Sequence, residues 1–129
     1  MREILFRGKR KDNDGWLWGD LLQDRDLKIC LIEGFDYYTD ADGLQRDYFQ
    51  HEVIPETVGQ YTGLTDKNGN KIFEGDIVNC ITSDFDGSDK YVDNFQITDT
   101  TDYEQMGFLD FCHEIEIVGN IHNNTEPQR

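Results

Sequence analysis

The chain is short of proline (two), serine (two), cysteine (three) and basic residues (12, against 27 acidic). Each shortage excludes something. Two prolines cannot make a Pro-rich spacer. The two serines, Ser83 and Ser88, lie in the acidic run TSDFDGSDK with no G-x-S-x-G elbow, which argues against a serine nucleophile. Cys30, Cys80 and Cys112 are odd in number, far apart and set among apolar neighbours, so they read as reduced thiols packed in a core rather than a disulfide framework. No apolar run reaches the roughly 18 residues of a membrane span, and the amino-terminal stretch lacks the apolar run of a signal peptide. A soluble, cytoplasmic protein is therefore expected.

What is present is acid and aromatic surface. The net charge is −15, and its distribution is uneven. Residues 1–28 hold seven basic and six acidic groups, so the other 101 residues carry a net −16. Such a surface repels nucleic acid and anionic membranes and attracts basic proteins. Eight Phe, six Tyr and two Trp argue against disorder. At 129 residues a single domain, 1–129, is expected, with sub-lobes near 1–52 and 53–124.

One stretch organises the rest: PETVGQYTGLTDKNGNKIFEGDIV, Pro55 to Val78. Val58 to Leu64 reads as a strand, Asp66-Lys67-Asn68-Gly69 as a type I turn closing on a left-handed glycine, and Ile72-Phe73 as the return strand. A second turn at Glu74-Gly75 leads into a strand from Asp76 to Ile81. Three short strands joined by tight turns must curl. The expected fold is therefore mostly β, in small SH3-like or barrel-type lobes of short antiparallel strands, with at most one or two short helices.

Elsewhere Glu3–Arg7 and Trp16–Leu21 form a hairpin around a polar turn, with Trp16 and Trp18 on one face, and Leu27–Ile32 continues the β pattern. The region 34–53 reads as strand, turn and a short helical piece. After a loop at 82–90 and a strand near 91–98, Thr101-Asp102-Tyr103-Glu104 has the form of a capping box, predicting a helix over about 102–112 with Tyr103, Met106 and Leu109 on one side. Ile115, Ile117 and Ile121 mark a closing strand, and residues 123–129 are expected to fray.

The opening residues MREILFR, the WLWGDL of Trp16–Leu21, the central stretch and the EIVGNIH of Glu116–His122, in that order, resemble the YopX family of phage and prophage proteins. The likeness covers about residues 1–22, 53–81 and 114–124; the acidic segment 82–113 departs from it. The resemblance implies a mostly β structure, a phage or prophage origin and the cytoplasm of a bacterial host. It carries over no catalytic or binding residue.

Candidate chemistry is sparse. Asp66-x-Asn68-x-Asn70 opens like a calcium loop, but its sixth and twelfth positions are Lys71 and Ile77; Asp84-x-Asp86-x-Ser88 fails similarly at Asp89 and Phe95. Cys112-His113 with Cys30, Cys80, His51 or His122 lacks zinc spacing. No cofactor and no metal site are expected. The basic run Lys9-Arg10-Lys11 beside Trp16 and Trp18 is the one place suited to a nucleic-acid backbone with stacking. Against it stands the segment Thr82 to Glu104, where Asp84, Asp86, Asp89, Asp93, Asp99, Asp102 and Glu104 face a single lysine, Lys90. The leading expectation is a non-enzymatic accessory protein binding a basic protein through that segment. The alternative is a nucleic-acid or nucleotide-binding module using the amino-terminal hairpin. The aromatic surplus at Trp16, Trp18, Phe35, Tyr37 and Tyr38 also predicts a homo-oligomer.

Overall fold

The computed structural model describes residues 3–122, so the expectation for 123–129 lies outside the described residues. The chain forms two compact units, one over Ile4–Gly59 and the other from Gln60 onward together with Glu3.

The first unit is an antiparallel meander of β1 (Phe6–Lys9), β2 (Trp16–Asp24), β3 (Ile29–Asp40) and β4 (Gly43–Val53), each paired with the next. Its turns are set by short polar side chains. The Asn13 side-chain oxygen accepts from the Gly15 amide, and the Asp24 carboxylate accepts from the amides of Asp26 and Leu27. Cys30, Ile32 and Val53 are buried against Phe6, Leu17, Leu21, Phe49 and Val58. Gly19 sits where β2 passes β3 so closely that a Cβ would lie 2.2 Å from the Glu33 carbonyl oxygen. At its base the meander curls until Arg10 bridges Val53, with the Ile54 amide donating to the Lys9 carbonyl. One bridge joins strand ends and does not make a closed barrel. Mostly β is therefore right, while barrel-type closure is not.

The region 34–53 contains no helix. From Gly34 outward β3 is paired by β4 alone, making a long two-stranded arm that turns at Ala41-Asp42. Phe35, Tyr37 and Leu44 lie on one side with Arg46 and Tyr48, and the Arg46 guanidinium sits 4.5 Å over the Phe35 ring. The arm is largely exposed on both faces, which is why the sequence shows no clear hydrophobic period there. Among the aromatics behind the expected self-association, Trp18, Phe35, Tyr37 and Tyr38 are exposed and Trp16 is half-buried.

The second unit holds the hairpin of β5 (Gly59–Thr65) and β6 (Lys71–Phe73), then β7 (Asp76–Ser83), β8 (Asp89–Gln96), helix α1 (Tyr103–Phe111) and β9 (Glu114–Asn120). In its three-stranded sheet β7 is central, flanked by β8 and β9; three strands are too few to close. Ile72, Val78, Cys80, Ile97, Met106, Leu109 and Ile115 form the core. Asp102, not Thr101, caps α1, accepting from the amides of Glu104 and Gln105. Met106 and Leu109 are buried as expected, but Tyr103, the first residue of α1, is exposed.

The turn after β5 has the predicted form. The Gly69 amide donates to the Asp66 carbonyl at 3.0 Å, and Gly69 is left-handed, with φ +84°. A Cβ there would meet nothing within 4 Å, so only backbone strain opposes substitution. Gly69→Val should lower stability by more than about 1 kcal/mol, since a β-branched residue is poorly tolerated at positive φ. Coincident urea midpoints for mutant and wild type would contradict this.

Candidate functional site

All seven acidic side chains of the 82–104 segment are exposed, and each has a local setting. At the β7–β8 turn the Asp84 amide donates to the Ser88 carbonyl, and Gly87 is left-handed at φ +85°. The Asp86 carboxylate accepts from the Ser88 amide at 2.9 Å and from its hydroxyl, which holds the carboxyl below its ordinary range. Asp89 lies 3.5 Å from the His113 imidazole. Asp99 accepts from the Thr101 hydroxyl and amide, again lowering its carboxyl. Glu104 stands in the first turn of α1, where the helix dipole favours negative charge.

The seven do not form one cluster. Asp84, Asp86 and Asp89 gather at the hairpin, on the side where α1 ends. Asp99, Asp102 and Glu104 gather where α1 begins, at the other end of a nine-residue helix about 13 Å long. Asp93 stands on β8. The region 82–113, where the family resemblance lapsed, is part of the β framework. Residues 82–113 supply β8, one of the sheet's two outer strands, and three core residues, Ile97, Met106 and Leu109.

A further feature lies beside the hairpin cluster. A groove of about 440 Å³ is lined by Thr82, Asp84, Phe85, Lys90, Phe108 and Phe111, among others. Phe85 and Phe111 are exposed and Phe108 is half-buried against Phe95, ring centroids 5.0 Å apart. Charge counting passed over these residues. The available signal was a phenylalanine inside an otherwise polar, acidic turn.

The basic amino-terminal hairpin is arranged differently from a nucleic-acid platform. Arg10 donates twice to Asp12, at 2.8 and 2.7 Å, and Lys11 pairs with Glu52 at 2.9 Å. The Trp16 ring is taken by the Arg7 guanidinium and the Lys9 ammonium, 4.7 and 5.7 Å from its centroid. Two of the three basic groups in the run are thus matched by carboxylates, and cations lie over the stacking surface. Trp18 alone of the pair is exposed.

The two loops that open like calcium sites use their carboxylates on backbone amides. Asp66 accepts from Asn68, Asn70 and Ile117, and Asp86 from Ser88. Among the described residues no group of three or more His, Cys, Asp or Glu could hold a metal ion. Cys30 and Cys80 are buried, and burial pushes the Cys80 thiol up to about 12 and raises that of Cys112, which disfavours the reactive thiolate at neutral pH.

Open antiparallel sheets, one short α-helix among the described residues and exposed acidic groups define a small, mostly β protein. Among the described residues no helix is long and apolar enough to cross a membrane. The chain belongs to the YopX family: the family model described as YopX protein matches residues 5–127, running through the acidic segment as well as the stretches that carry the resemblance. No curated protein and no solved structure matches it.

Proposed function

We propose that this chain is a non-enzymatic phage or prophage accessory protein of the bacterial host cytoplasm, and that it binds a basic protein through its acidic surface. The observation that carries the reading is the hairpin cluster. Asp84 and Asp86 are exposed and, among the described residues, form no salt bridge with lysine or arginine, on a turn held by its own hydrogen bonds, so their field is available to a partner. The competing nucleic-acid reading is weakened by the internal pairing of Arg10 and Lys11.

Asparagine at 84, 86 and 89 keeps an acceptor oxygen while removing three charges. The triple variant Asp84→Asn, Asp86→Asn, Asp89→Asn should stay within about 0.5 kcal/mol of wild type, as exposed substitutions usually do. Its capture of proteins from an infected or lysogenic cell should weaken and lose salt dependence. Retrieval of the same proteins with the same salt profile would leave the acidity a matter of solubility.

A further inference from the structure

The inward row of β7 runs Val78, Cys80, Thr82. Val78 and Cys80 belong to the core cluster that includes Met106 and Leu109 of α1, but Thr82, the next in line, lies beneath the open groove. Thr82 is 6% exposed, and its hydroxyl is buried without a hydrogen-bond partner among the described residues. Around it stand the phenyl rings of Phe85, Phe108 and Phe111, two of them largely in water. The groove is thus the unfinished end of a core, and apolar surface rimmed by polar groups is characteristic of an interaction site.

Charge says what fits. Lys90 lines the groove and repels a cationic side chain entering it, while Asp84 lines it too and Asp86 stands on the same turn, attracting cations just outside. Resting on the basic-partner reading above, we infer that the groove receives one uncharged apolar or aromatic side chain of the partner, carried on a peptide segment with lysine or arginine on either side. The anchor packs among the three rings and extends the row ending at Thr82. The flanking cations meet Asp84 and Asp86. Affinity and selectivity are thereby divided: charge brings the segment in, and the groove selects where along it binding occurs.

Two capped peptides, KRKWKRK and KRKGKRK, separate these contributions in calorimetric titrations of the whole chain at low salt. The tryptophan peptide should bind about tenfold or more tightly than the glycine peptide, the effect of burying one large apolar side chain. Phe111→Ser and, independently, Phe85→Ser should remove most of that difference while leaving the glycine peptide's affinity unchanged; both residues are exposed, so the fold should survive and an unchanged melting temperature checks it. The triple asparagine variant should weaken both peptides alike. Equal affinity of the two peptides for wild type would overturn the groove and leave the acidic-surface reading standing. Failure of both peptides to bind would overturn the acidic-surface reading, and the groove with it.

Discussion

Asp66→Ala is expected to cost about 3 kcal/mol or more. Asp66 is 6% exposed and its carboxylate accepts three main-chain amides: Asn68 at 3.0 Å, Asn70 at 2.9 Å and Ile117 at 3.2 Å. The first two shape the turn, and the third fastens it to β9, reinforced by the Lys67 amide on the Ile115 carbonyl. Alanine would remove the shared acceptor of all three amides: those of the exposed Asn68 and Asn70 can turn to water, the half-buried Ile117 amide is less free to, and a hydrogen bond to a charged group is worth about 1.5–3 kcal/mol. Burial by itself would raise the Asp66 carboxyl, but the amides of Asn70, Ile117 and Asn68 outweigh it and hold the carboxyl below its ordinary value. A carboxyl lowered by folding stabilises fully above its unfolded pKa of about 3.9, and that contribution is lost as pH falls through the folded value. Urea titrations of wild type and Asp66→Ala should therefore differ most near neutrality and converge on acidification below about pH 4. A constant difference across that range would mean that the carboxylate charge is not what the amides require.

The second large effect is expected in the other unit. Gly19→Ala should cost more than about 2 kcal/mol, because the new methyl would lie 2.2 Å from the Glu33 carbonyl oxygen, a main-chain atom that cannot swing aside. Relief requires moving β2 away from β3 at Asp20–Glu33, where their ladder begins. Gly107→Ala is the control: a Cβ there meets nothing within 4 Å, and alanine in a helix gains up to about 1 kcal/mol over glycine. Opposite shifts in melting temperature are the expected result, and equal shifts would mean that the approach of β2 to β3 relaxes freely.

The central hairpin was legible because turn chemistry and β-branched strands agree locally from Val58 to Val78. The rest depended on contacts the sequence does not display. The arm from Gly34 to Phe49 has no buried face to impose alternation, and its mixture of aromatics and aspartates suggested a helical piece where two long strands stand. Asp102 caps α1 in place of its neighbour Thr101 because both residue types suit that position, and local sequence does not choose between them. The acidic side chains were visible as charges, but their division between the two ends of α1 was not. The groove was hidden because it joins Thr82 and Phe85 to Phe108 and Phe111 across more than twenty residues.

The central position of β7 also bears on how the protein is made. Residues 4–59 pair strand with next strand, so that unit can assemble as it emerges from the ribosome. β7 cannot be covered so soon: Cys80 waits for Ile115 on β9, roughly 35 residues later, an interval of about two to seven seconds at bacterial and eukaryotic elongation rates. During that time the nascent chain presents a hydrophobic strand with one side unpaired, the form in which it is most open to chaperones and to pairing with another nascent copy.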